Sequence, residues 1–144
     1  MNMHIALCLL TRKAFLILVS LAFFTFSASA QRMMKTINDG WDFRKDGETR
    51  WQPINLPHTF NLDAYSQRNY YQGKGEYRKK LSLAEIDPAK RYYLKIDAAS
   101  KAANVKVNGQ VAGNHAGGYS AFILDVTGLI RKENEIEIIV DNAR

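Results

Sequence analysis

The residues of this chain equipped for chemistry are few: His58, His115, the glutamates at 135 and 137, and four tyrosines between 65 and 77. The two histidines stand far apart, and no HExxH or carboxylate spacing joins them into a metal site. His58, in "LPHTF", reads as a packed or hydrogen-bonding histidine rather than a catalyst. His115, beside Gly117, reads as a solvent-facing loop residue. No nucleophile elbow of the G-x-S-x-G kind accompanies either of them. A glycosidase needs two carboxylates at a defined separation, one of them desolvated so that it stays protonated. Glu135 and Glu137 share one face of an alternating run, which predicts a solvated acidic strand face instead. Asp125 and Asp141 fall at strand ends, where a carboxylate usually accepts from a nearby backbone N–H.

The tyrosines are more suggestive. Tyr65, Tyr70, Tyr71 and Tyr77 lie in "DAYSQRNYYQGKGEY" (63–77), interleaved with Arg68 and Asn69. Aromatic faces beside neutral hydrogen-bonding groups suit sugar rings, which offer C–H patches and many hydroxyls. A long surface loop that packs its tyrosines against a sheet produces the same pattern, and from these residues alone both readings stand. Trp41 and Trp51 are expected in the core or its lid rather than as a sugar platform.

The elements that must carry these residues are strands. Tyr92, Leu94 and Ile96 alternate with Tyr93, Lys95 and Asp97; Val105 and Val107 with Lys106 and Asn108. "AFILDVT" (121–127) and "NEIEIIVDN" (134–142) show the same period of two, the mark of a strand with one buried face. "GWDFRKDG" (40–47) and "EYRKKLSL" (76–83) are weaker strands, the second interrupted by Lys79. No segment holds a helical period, and Pro88 disfavours helix at Asp87. Asn108-Gly109 between two such runs predicts a tight hairpin. Gly113, Gly117 and Gly118 are read as punctuating a loop before the strand at 121. No helix follows them, so a phosphate-cradling loop is excluded. The expected class is all-β: an antiparallel β-sandwich of the jelly-roll kind.

Residues 1–30 read as a secretory signal peptide, with Arg12 and Lys13 closing a basic segment, an apolar run at 14–26, and "SASA" for cleavage. An uncleaved anchor is the alternative; the apolar run is short for a bilayer span. Removal of this segment leaves 18 basic against 14 acidic residues in 31–144, one small domain without cysteine. That excludes a disulfide framework, a thiolate nucleophile and a cysteine metal site. The basic residues are scattered apart from "RKK" (78–80), so nucleic acid is not an expected partner. No stable membrane anchor is expected after cleavage, and no cofactor or metal is called for.

The order of motifs "INDGWDFRKDG", "QPINLPHTFN", "YYQGKGEYRKKLSL", "VKVNGQVAGNHAGGYSAFILDVTGLI" and "NEIEIIVDN" resembles the N-terminal sugar-binding jelly-roll domain of glycoside hydrolase family 2. That family includes β-galactosidases, β-glucuronidases and β-mannosidases. The resemblance covers nearly all of 34–142, through Tyr77, "VNG" (107–109), "GGY…F" (117–122) and "DVT" (125–127). It implies a domain of an exported retaining β-glycosidase rather than a catalyst. The two family glutamates lie on a (β/α)₈ barrel of roughly 250 residues, beyond an immunoglobulin-like domain, and nothing in this chain matches them. In the family a further strand follows the "VDN" segment, so the jelly roll is expected to lack its last strand here, with an unpaired edge beside the strand at 134–142 and marginal stability. The family's loop after "LPH" leans over the barrel mouth. It corresponds to about 61–72, with Asp63, Asn69, Tyr70 and Tyr71 as the substrate-proximal candidates. Carbohydrate and the two absent domains are the implied partners. A free-standing carbohydrate-binding module and a non-functional gene remnant are the rival readings.

Overall fold

The computed structural model describes residues 32–62, 66, 68 and 70–143; the proposed signal peptide at 1–30, Tyr65, and the candidates Asp63 and Asn69 lie outside the described residues. The described strands are β1 (Trp41–Lys45), β2 (Gln52–Ile54), β3 (Lys74–Ser82), β4 (Tyr93–Ile96), β5 (Ala102–Val107), β6 (Gln110–Ala116), β7 (Phe122–Asp125) and β8 (Glu133–Asp141). They form a six-stranded sheet in the order β2-β1-β3-β8-β5-β6 and a two-stranded sheet of β4 and β7. Every pairing is antiparallel. The two sheets close on a shared core, which makes the unit an antiparallel sandwich.

Period-two patterning accounts for the packing. The inner face of the large sheet is built by Trp41, Phe43, Tyr77, Ala103, Val105, Ile136, Ile138 and Val140, all buried. Val105, Val107 and Ile136 are fully enclosed, and burial of each such side chain stabilises the fold by about 1.5–3 kcal/mol. Leu94, Ile96, Phe122 and Leu124 approach from the small sheet, where Leu94 pairs with Leu124 and Ile96 with Phe122. The intervening residues Tyr93 and Ile123 point outward and are about half exposed.

Lys79 explains the break in the alternation of β3. It stands opposite Ile136 on the inner face. Its ammonium escapes the core by donating to the backbone carbonyls of Asp39 and Gly40. The side chain is thereby half-buried and the charge is hydrogen-bonded, the usual solution for a lysine at the margin of a core.

Two expectations are corrected. The first concerns β8, which has no unpaired edge beside it. It is central, paired with β3 from Glu133 to Asp141 and with β5 from Ile136 to Asp141. The open edges belong to β2, β6 and the small sheet. The second concerns the stretch after the hairpin. Asn108 and Gly109 do form the tight turn, with φ of 53° and 77°. The residues beyond them, read as loop, are strand β6, with Gly113 paired to Val105 across a bulge. A Cβ on Gly113 would lie 2.6 Å from Leu124 Cδ2, so the glycine admits the small sheet at close range.

Candidate functional site

The segment from Leu56 to Lys74 connects β2 to β3 and carries the tyrosine loop. Its base is anchored by aromatic packing on the inner sheet. Phe43 stacks on Phe60 with ring centroids 5.7 Å apart, and packs against His58 at 4.5 Å and Tyr77 at 4.9 Å. His58 Nδ1 lies 3.0 Å from the Tyr77 hydroxyl. Burial lowers the His58 pKa and raises that of Tyr77, so both remain neutral at ordinary pH. This is a hydrogen-bonded packing pair, and no carboxylate among the described residues is bonded to it. His58 is placed as its sequence context suggests.

The far end of the loop is fastened by two asparagines. Asn61 brackets the backbone of one residue: Tyr71 N–H donates to Asn61 Oδ1 at 2.7 Å, and Asn61 Nδ2 donates to Tyr71 O at 3.1 Å. Asn142, buried just beyond β8, donates through Nδ2 to the same Tyr71 carbonyl at 2.9 Å. Its Oδ1 accepts Gly73 N–H at 2.8 Å. Backbone groups that no strand can pair are satisfied in this way by side-chain amides, which mimic a strand neighbour in both donor and acceptor.

The two described candidates therefore differ. Tyr71 is half-buried and heavily committed: its hydroxyl donates to Lys74 O at 2.9 Å and its ring meets Phe60 edge-on at 5.9 Å. Tyr70, its neighbour, is 61% exposed. On geometry, Tyr71 fastens the loop and Tyr70 presents a ring to solvent. Asn61 and Asn142 were not singled out in the sequence. The available signal was the placement of Asn142 two residues past Val140, the last apolar position of the strand, where an amide can reach across to a loop.

The other residues considered for chemistry are absorbed by the fold. His115 lies on β6 rather than in a loop, stacked on Phe122 at 4.2 Å, with Nε2 3.1 Å from both Gly117 O and Ser120 Oγ. Asp125 accepts Thr127 N–H at 3.0 Å and Arg91 at 3.1 Å. Hydrogen bonds from Thr127, then the Arg91 charge, hold its pKa below the usual carboxylate value. Asp141 accepts Ala143 N–H at 3.0 Å. Both are strand-end carboxylates of the expected kind. Asn108 crosses to the β7–β8 connection, donating to Leu129 O and accepting from Glu135 N–H. Trp41 is a core residue, whereas Trp51 is neither core nor lid. It sits on the outer face of the large sheet against the guanidiniums of Arg44 and Arg78, at 4.4 and 4.0 Å. Among the described residues no group of three or more His, Cys, Asp or Glu is arranged to hold a metal ion.

Comparison with known proteins places this geometry. The profile described as "Glycosyl hydrolase 2 galactose-binding domain-like" matches residues 41–144. A beta-glucuronidase of Bacteroides fragilis is 35% identical over 126 residues, covering 83% of this chain and 18% of the relative. A beta-galactosidase of Thermoanaerobacter pseudethanolicus is 32% identical over 112 residues, covering 74% of this chain and 15% of the relative. The crystal structure of a Bacteroides uniformis beta-glucuronidase superposes with a TM-score of 0.74 at 40% identity, covering 79% of this chain and 15% of that one. The chain thus spans less than a fifth of the length of these relatives, and what it matches is their N-terminal domain. It belongs to the glycosyl hydrolase 2 galactose-binding domain-like family.

Proposed function

We propose that this chain is the N-terminal, sugar-facing domain of an exported retaining β-glycosidase acting on β-glucuronides or β-galactosides. The carrying observation is the coincidence of the family match with an exposed Tyr70 on a loop fastened at both ends. In this reading Tyr70, with Asp63 and Asn69, leans over the mouth of a (β/α)₈ barrel supplied by the rest of the enzyme. That barrel holds the two catalytic glutamates, and an immunoglobulin-like domain lies between. The double clamp on Tyr71 supports the role, because a loop that must meet a sugar at fixed distance has to be held by the scaffold beneath it. The apolar segment at 14–26 supports export to the periplasm or the medium.

The test begins with the native product in the source cells, detected with an antibody against residues 31–144. A product several times this domain's length that releases p-nitrophenol from its β-glucuronide or β-galactoside bears the reading out. A stable product of the domain's own size would sink it.

A further inference from the structure

The outer face of the six-stranded sheet is ordered by charge. Asp42, Arg78, Glu137 and Lys106 stand in register across β1, β3, β8 and β5, so signs alternate along one row. The adjacent row holds Arg44, Glu76, Ile139 and Asn104. Glu137 was expected on an acidic face; the sheet places it between two cations contributed by other strands. Between the rows lies a groove of about 240 Å³ walled by Arg44, Trp51, Glu76, Asn104, Lys106 and Glu137, with Ile139 also lining it.

The groups in this groove fall into two sets. Arg44 is locked to Glu76 at 2.5 Å and Arg78 to Asp42 at 3.1 Å, and these two guanidiniums fix the Trp51 indole. Glu137 and Lys106, by contrast, make no side-chain hydrogen bond or ion pair with the described residues. The wall therefore offers an immobilised aromatic ring just ahead of β2, and an unspent acceptor and an unspent donor mounted on β8 and β5. A larger depression of about 670 Å³ beside Lys90, Arg91 and Asp125 is different, since its charges are spent on Asp87 and on one another.

Charge balance selects the ligand class. Arg44 and Lys106 are offset in number by Glu76 and Glu137, so the groove carries no net charge that would select an anion or a cation. A neutral polyol gains from entering. Its hydroxyls donate to a carboxylate and accept from an ammonium, both as charge-assisted bonds, while a C–H face lies on indole. We propose that the outer face of the six-stranded sheet carries a saccharide-binding groove, built on Trp51, Glu137 and Lys106, that takes a neutral hexopyranose or pentopyranose unit and is separate from the tyrosine loop. Phe60, at the loop base, packs near Gly75 on the inner side of the same sheet, so the two sites are served by opposite faces.

The test is a ¹H–¹⁵N NMR titration of the full chain with cellotetraose, xylotetraose and β-1,4-galactotetraose, with tetragalacturonate as the charged control. The expected result is movement of the Trp51 indole N–H and the Lys106 and Glu137 amides with at least one neutral sugar. Glu137→Ala and Lys106→Ala should each weaken that binding by about tenfold or more. Both variants should stay folded with unfolding midpoints close to that of the wild type, because neither side chain is bonded to another described residue. Tyr70→Ala should leave the binding unchanged, which separates this site from the loop. The proposal is overturned if no neutral sugar moves these signals, if only tetragalacturonate does, if the shifts gather around Tyr70, or if both alanine variants bind as wild type. Protection of Lys106 from acetylation in the longer enzyme without added sugar would overturn it too, by assigning the face to a neighbouring domain.

Discussion

The two sheets of this sandwich do unequal work. In the large sheet β8 is paired along its length with β3 and along most of it with β5, and four of its residues, Asn134, Ile136, Ile138 and Val140, are buried. The small sheet has two four-residue strands whose core-facing residues are only half-buried, with Tyr93 and Ile123 left outside. Both features of interest are mounted on the large sheet: the tyrosine loop through Asn142 and Phe60, the charged groove through β1, β3, β5 and β8. The small sheet acts as a lid on the core. Precision of placement follows from pairing on both sides, which fixes a strand's register and therefore the aim of every side chain on it.

This contrast can be broken by paired truncations. Ile136→Ala, in the centre of the large sheet, should cost about 3–5 kcal/mol and abolish cooperative unfolding in a domain of this size. Leu124→Ala, in the small sheet, should cost clearly less, about 1–2 kcal/mol, because its site is only half enclosed. Equal losses in denaturant titrations would refute the assignment of unequal roles.

A smaller effect is expected at the loop. Asn142→Ala leaves the Gly73 N–H without its partner and removes one of the two donors to Tyr71 O, at a cost of about 1–3 kcal/mol. Hydrogen exchange should quicken at Gly73 more than in β5. Uniform quickening would show that Asn142 supports the whole fold and has no special hold on the loop.

The pH response should be modest and has a definite sign. Burial lowers the His58 pKa in the folded chain, so the unfolded chain binds the proton first as the medium is acidified. Stability contributed by neutral His58 is complete above the unfolded value of about 6.5 and declines as pH falls below it. His58→Phe should flatten that part of the stability profile; an unchanged profile would assign the decline to other groups. Least of all, Tyr70→Ala should change stability by no more than about 0.5 kcal/mol, being exposed, while raising KM in the assembled enzyme. Unchanged kinetics there would remove Tyr70 from the sugar-facing surface.

The strands with clean alternation were legible without coordinates, as were the Asn108-Gly109 turn and the strand-end roles of Asp125 and Asp141. β2 was not, because three residues containing Pro53 carry no period. β6 was missed because "QVAGNHA" is glycine-broken and poor in β-branched residues; it is strand only because β5 supplies its ladder. Of the candidate site, the sequence pointed to the tyrosines but not to which of them is spent on the scaffold. Tyr70 and Tyr71 are chemically identical neighbours, and only the meeting of Asn61 with Asn142 on one peptide separates them.

The class of the fold and the family could be read before any coordinates, since local alternation and turn chemistry act between residues close in the chain. Strand order, the alternating charges of the outer face and the fastening of the loop were decided by the tertiary structure. Each depends on which distant strands lie side by side, and that is settled by burial of the whole core at once.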